Sequence, residues 1–252
     1  MRLHWFELAD LDGYPRTLAE AGHAYLRRLE ELAKVDVPLA KRVGHALEES
    51  GVERWVDLAS GAGGPAPSVR ARLASEGRAV PLTLTDRSPD PEALAAAAEA
   101  DGVDVHSEPV DATTVPESLP GLRTIFNALH HFPDASARAV LEDAVAKKQP
   151  ILTAELSERT LPNVLSSILI PIFVLLIMPT VRPLRLSWIV FTYLIPILPL
   201  AIWWDGLVSH LRTHSPKELR ALTEGLDDYE WTIGQDRFGP GKITWLFGRP
   251  RA

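Results

Sequence analysis

Two adjacent histidines, His130 and His131, stand in the run Phe126-Asn127-Ala128-Leu129-His130-His131-Phe132-Pro133-Asp134, directly after a stretch with strand character. Imidazole titrates near neutrality, so either ring could take a proton from a hydroxyl or phenol; both are candidate catalytic bases, and His131 is favoured. The alternative for each is a strand-end residue that hydrogen-bonds a neighbouring loop and positions a ligand. A metal centre is not expected of the pair. Adjacent residues on an extended segment point to opposite sides, and no third ligand is indicated. Thiolate chemistry is excluded, because the chain has no cysteine.

A second cluster is Val56-Asp57-Leu58-Ala59-Ser60-Gly61-Ala62-Gly63-Gly64-Pro65, placed where a first strand must turn sharply into a helix. Glycine there permits positive φ and close approach of a ligand to the backbone. Dinucleotide enzymes use a similar turn to seat a pyrophosphate on the following helix. Asp57 argues for a different ligand, since a carboxylate repels a pyrophosphate and attracts the ammonium of an amino-acid moiety, directly or through water. Pro65, near the place of a third glycine at the helix start, also speaks against a dinucleotide.

These groups need a scaffold, and the hydrophobic pattern supplies one. Leu18, Ala21, Tyr25, Leu29 and Leu32 recur at helical spacing over residues 17–32, and Leu39, Val43, Ala46 and Leu47 repeat the pattern before Gly51. Short β-type runs follow at 55–58, 82–85, 103–106, 124–128 and 151–154, separated by alanine-rich helical segments at 68–76, 91–100 and 135–147. Runs at 229–233 and 243–247 flank Gly239-Pro240-Gly241 and predict a closing antiparallel hairpin. The expected fold is α/β: a doubly wound, mostly parallel seven-stranded sheet with N-terminal helices and a hydrophobic helical hairpin inserted after strand five. The expected division is an N-terminal helical cap at 1–53 and a catalytic domain at 54–252, interrupted by the insertion at 161–204.

In this frame the chain resembles the class I, Rossmann-like, S-adenosylmethionine (SAM)-dependent methyltransferases, whose first motif runs acid, any, Gly, any, Gly, any, Gly. Asp57, Gly61 and Gly63 match it, and Ala59 replaces the first glycine. The matching signals fall in order across residues 54–155, about two-fifths of the chain. The resemblance implies SAM as cofactor, held by Asp57 and the turn residues Ala59, Ser60, Gly61 and Gly63. It implies that Asp86, followed by Arg87, accepts the ribose hydroxyls, and that Asp111 with Ala112 flanks the adenine. Asn127 and the two histidines would face the methyl donor. For Asp111 a turn cap is the plainer alternative. A closer resemblance, through Trp204-Asp205-Gly206 after a hydrophobic stretch, is to bacterial methyltransferase-like members; it implies no substrate.

Residues 161–179 and 186–204 carry no charge, so each reaches the length of a membrane-spanning helix. Pro171, Pro179, Pro183, Pro196 and Pro199 interrupt them, and the linker between carries Arg182 and Arg185. Strands on both sides of the insertion belong to one sheet, so two full spans would carry those arginines across the membrane, against the positive-inside tendency. A monotopic or re-entrant hairpin on the cytoplasmic side is expected, with Trp188, Tyr193, Trp203 and Trp204 at the interface. A soluble lid or dimer interface is the alternative. Elements added after the fifth strand in class I methyltransferases often cover the acceptor, which implies a lipophilic substrate. Trp204, Asp205, Ser209 and Arg212 are candidate acceptor-lining residues, a helix cap is the equal alternative for Asp205, and residues 215–218 read as a helix start.

Composition bounds the rest. With 252 residues and 46% apolar content, one substantial core can be buried. A net charge of -7 disfavours a nucleic-acid partner. The first 14 residues lack the basic start and apolar core of an export signal. The expected function is methyl transfer from SAM to a lipophilic or membrane-borne small molecule, at oxygen. An NAD-dependent oxidoreductase and a non-catalytic SAM-binding membrane adaptor are the rivals.

Overall fold

The structure is a computed structural model describing residues 2–61 and 63–251, apart from the side chains of residues 91–94. Ala62, inside the glycine-rich run, lies outside the described residues. In chain order the helices are α1 (Arg16–Ala33), α2 (Asp36–Ser50), α3 (Ala66–Ser75), α4 (Pro91–Ala98), α5 (Asp134–Ala146), α6 (Leu161–Ser166), α7 (Ile170–Ile177), α8 (Leu186–Ile189), α9 (Ile197–Arg212) and α10 (Pro216–Leu222). The strands are β1 (Trp55–Asp57), β2 (Leu82–Leu84), β3 (Val103–Val105), β4 (Leu122–Phe126), β5 (Ile151–Glu155), β6 (Tyr229–Phe238) and β7 (Gly241–Pro250). Two compact units emerge: Val35–Leu156 with His214–Ala252, and Met1–Lys34 with Ser157–Thr213.

In the larger unit the sheet order is β3-β2-β1-β4-β5-β7-β6. The first five strands run parallel, and β7 pairs antiparallel with both β5 and β6. Every residue of β1, β4 and β5 is buried, as expected when helices cover both faces of a parallel sheet. One core cluster joins Leu39 and Val43 of α2 to Leu73 of α3, and a second joins Val140 and Leu141 of α5 to Leu219 of α10. Each such side chain contributes about 1.5–3 kcal/mol by leaving water. Strand order reverses between β1 and β4, and in open sheets of this kind ligands bind in the crevice beyond the carboxyl ends of the strands at that point.

The structure departs from the sequence expectation in four places. The boundary expected at residue 53 falls instead at residue 35, because α2 packs on β4, β5 and β7 within the larger unit. β4 starts and stops two residues earlier than expected: Asn127 takes a left-handed φ of 52° and ends it. β6 and β7 are ten residues each, twice the expected length. The apolar run predicts an end at Ile233, yet the strand continues through Gly234 because the Trp245 ring opposite lies over that glycine, where a Cβ would collide with it. Finally, the insertion does not end at Trp204, since α9 continues unbroken to Arg212.

In the smaller unit, α1 buries Leu18, Ala21 and Tyr25 against Val174, Met178 and Leu198. The first uncharged stretch forms one helical run, Leu161–Thr180, whose 20 residues would be long enough to cross a bilayer. Pro171 causes no break there because it occupies the first turn of α7, where its missing N–H has no helical partner to lose. The second stretch does break, at Pro196: a limb of Leu186–Leu194 meets α9 at 80°.

Candidate active site

The turn after β1 is built from residues with positive φ: Ala59 (55°), Gly61 (54°) and Gly63 (100°). Ala59 keeps the conformation expected of the glycine it replaces, at a cost of about 1 kcal/mol. Gly63 donates to the Ser60 carbonyl (2.8 Å), and a Cβ on it would press on Ala97 Cβ at 3.2 Å. A Cβ on Gly61 would meet nothing within 4 Å, so this part of the turn borders open space. The Gly61 amide donates to Asp86 Oδ2 (2.7 Å), while Ser88 N donates to Oδ1 (2.8 Å). Asp86 is therefore fixed just beside the open glycine. Arg87, next to it, is exposed.

Asp57 is turned inward. Its carboxylate accepts from the Ser60 hydroxyl (2.7 Å) and from the Thr124 hydroxyl of β4, whose oxygen accepts in turn from Trp55 Nε1 (2.7 Å). Burial pushes the Asp57 carboxyl up to about 7; the Thr124 and Ser60 hydrogen bonds oppose the shift, and the nearby Asp86 charge adds to it. A carboxyl raised in the folded state keeps its proton where the unfolded chain has released it. Its contribution is fully present below the ordinary carboxyl range near pH 4 and declines as pH rises to about 7. The slope for one group is at most about 1.4 kcal/mol per pH unit. Asp57→Asn should remove this decline, which denaturant unfolding at a series of pH values would read; an unchanged profile would contradict the assignment.

Asp111 is exposed and accepts both the backbone N–H (2.8 Å) and the hydroxyl (2.7 Å) of Thr113, the second contact being the main cause of its lowered pKa. It thus caps its own turn. Both bonds fall on Oδ1, which leaves Oδ2 for an outside donor. Ala112 beside it is buried. The Asn127 amide donates to the Ala154 carbonyl (2.8 Å), and its side-chain oxygen accepts from Leu156 N (3.3 Å), tying the end of β4 to β5.

The histidines do not lie on an extended segment. Leu129–His131 is a 3-10 turn, so the two rings stand side by side with centroids 4.3 Å apart, and the expectation of opposite directions is corrected. His130 Nδ1 lies 2.7 Å from Glu155 Oε2, and its backbone N–H donates to Oε1 (3.0 Å). Burial alone would raise the Glu155 carboxyl, but the charge and hydrogen bonds of His130 outweigh it and hold it below the ordinary range. A carboxylate that accepts from Nδ1 fixes the ring so that Nε2 is the proton-accepting atom. Glu155 was missed in the sequence. Its only signal there was an acid at the last position of a strand with no other charged residue.

The four residues expected to line an acceptor site are engaged within the smaller unit. Trp204 stacks on Trp5 at 6.1 Å and donates from Nε1 to the Phe6 carbonyl (3.1 Å). Asp205 accepts from Leu8 N (2.6 Å) and Ala9 N (3.3 Å), so it caps the 3-10 turn Leu8–Asp10. Ser209 Oγ lies 3.0 Å from Glu7 Oε1. The buried Arg212 guanidinium donates to the Trp5 carbonyl (2.5 Å) and to Asp10 (2.6 Å), with Glu7 at 3.3 Å. One face of α9 thereby clasps the N-terminal segment. Ser215 and Glu218 form the expected capping box of α10.

No family model and no curated protein sequence matches the chain. Among solved structures it is similar to human N-acetylserotonin methyltransferase in complex with SAM, with a TM-score of 0.51 and 16% identity over 96% of this chain and 61% of that one. It is also similar to an O-methyltransferase family protein from Burkholderia thailandensis, with a TM-score of 0.51 and 15% identity over 88% of this chain and 57% of that one. The chain has the Rossmann-like α/β fold of these methyltransferases. It spans about three-fifths of their length.

Proposed function

We propose that this chain is a SAM-dependent methyltransferase that delivers a methyl group to an oxygen of a lipophilic or membrane-borne small molecule. The observation that carries the reading is the convergence of Asp86, Asp111 and the His130–Glu155 pair on the carboxyl edge of the sheet, around an open glycine turn, where strand order reverses. The donor set fits the cofactor. Asp86 suits a ribose diol, Asp111 Oδ2 suits an adenine amine, and Gly61 presents bare backbone toward open space. SAM, when bound, supplies a methyl group on a sulfonium that is displaced in line. Asp57 shapes the turn through Ser60 rather than reaching the ligand itself.

For an oxygen acceptor, His130 Nε2 takes the hydroxyl proton as the oxygen attacks, and Glu155 stabilises the imidazolium that forms. His130 is thus preferred to His131 as the base, because a carboxylate grips both its ring and its backbone. The apolar surface of the smaller unit supports a lipophilic acceptor and attachment to a membrane. Incubation with methyl-labelled SAM and separate lipid and aqueous extracts should place label in the lipid fraction. Label confined to aqueous products would overturn the lipophilic acceptor. SAM binding without transfer to either fraction would support the non-catalytic binder instead.

A further inference from the structure

Among the described residues, 22 large hydrophobic side chains are exposed, and 15 of them fall between Leu161 and Leu200 in the smaller unit. On the helical run from Leu161 to Thr180 they are not scattered. Leu161 (72% exposed), Leu165 (64%), Ile168 (69%), Ile172 (52%) and Leu176 (66%) follow one another at spacings of four, three, four and four, which is a single stripe along a helix. Val174, Ile177 and Met178 occupy the opposite side and are buried against α1. The helix is therefore apolar on both faces, with one face in the core and the other outward. Soluble monomers rarely present a contiguous apolar surface beyond several hundred Å2. Leu186 (80%) and Leu194 (77%) extend the apolar exposure onto the bent limb.

Two observations bear on what covers this face. First, the stripe offers no hydrogen-bonding side chain, whereas protein interfaces carry about one hydrogen bond per 100–200 Å2. Hydrocarbon asks for none. Second, the loop joining the two apolar stretches is basic: exposed Arg182 and Arg185 alternate with the exposed Leu184 and Leu186, and Arg28 of α1 donates to Thr180 (3.1 Å) at the same loop. The Arg185 guanidinium pairs with Glu20 of α1 and lies over the buried Trp188 ring at 5.3 Å. Exposed leucines alternating with arginines match the boundary between acyl chains and anionic headgroups.

We propose that this face is a docking surface for an anionic phospholipid leaflet, lying in the membrane interface with Arg182 and Arg185 at the headgroups. The inference deepens the membrane-borne reading above; it does not depend on methyl transfer. Flotation with vesicles of phosphatidylcholine alone, and of an equal mixture with phosphatidylglycerol, tests it. Binding should favour the anionic vesicles, and Arg182→Glu with Arg185→Glu should cut that binding by roughly tenfold or more. Replacing Leu165, Ile168 and Ile172 by Ser should abolish binding to both vesicles with the thermal midpoint unchanged, since these side chains are exposed. Equal binding to both vesicles would overturn the anionic leaflet. Absence of vesicle binding, together with a dimer that the triple Ser variant dissociates, would assign the face to a second copy of the chain. SAM binding is measured separately by calorimetry without vesicles, so loss of the methyltransferase reading would leave the vesicle result standing, and the reverse.

Discussion

His130→Ala should lower kcat for an oxygen acceptor by about 10²- to 10⁴-fold and leave SAM affinity nearly unchanged, since a positioned base contributes on that scale only while the proton moves. The expectation rests on geometry: Glu155 holds Nδ1 at 2.7 Å and the His130 backbone N–H at 3.0 Å, which leaves Nε2 as the accepting ring nitrogen. The His131 ring lies beside that of His130, with centroids 4.3 Å apart, and His131→Ala should cost less than about tenfold. Glu155 touches neither donor nor acceptor and is a positioning residue. In Glu155→Gln the amide can present an N–H to Nδ1, which moves the ring proton to Nε2 and removes the accepting lone pair. That variant should lose nearly as much kcat as His130→Ala, and the acidic limb of its pH–rate profile should move, because the imidazolium loses its counter-charge. Steady-state kinetics across pH reads both effects. An intact kcat in His130→Ala, with a large loss in His131→Ala, would transfer the role to His131.

Asp86→Ala should weaken SAM binding by about 10²-fold or more. Hydrogen bonds to a charged acceptor contribute about 1.5–3 kcal/mol each, and a ribose diol makes two. Part of the loss will be offset, because in the unbound chain Asp86 is held by the Gly61 and Ser88 amides and must exchange at least one of them for the ligand. Asp111→Ala should cost less, about tenfold, since in the proposed role its remaining oxygen would accept a single bond from the adenine amine. Titration calorimetry with SAM ranks the three proteins. Equal affinities would contradict the assignment of the carboxyl edge as the donor site.

The sheet was legible because its signals are local. Apolar runs of β-type residues bounded by glycine or proline predict β1, β2, β3 and β5 closely, and Gly239-Pro240 locates the hairpin turn. The positions that misled are those where tertiary contact overrides the local pattern. Gly234 looked like a strand end until the Trp245 ring covered it, and Asn127 looked like strand interior until its left-handed backbone ended β4. The positive φ of Gly61 and Gly63 was legible from residue type, because that conformation favours glycine whatever surrounds it. The His130–Glu155 pair was not. Its members lie 25 residues apart and meet only because β4 and β5 are neighbours in the sheet. Nor does any local pattern announce the partners of Trp204, Asp205, Ser209 and Arg212, which lie in residues 5–10, far away in sequence; capping was one of the two roles open to Asp205.

The central claim is that the carboxyl edge of this sheet binds SAM. Titrating the purified chain with SAM, and separately with NAD, tests it most directly: saturable one-site binding of SAM, weakened in Asp86→Ala, with no saturable binding of NAD, is the predicted result. Saturable binding of NAD with none of SAM would contradict it.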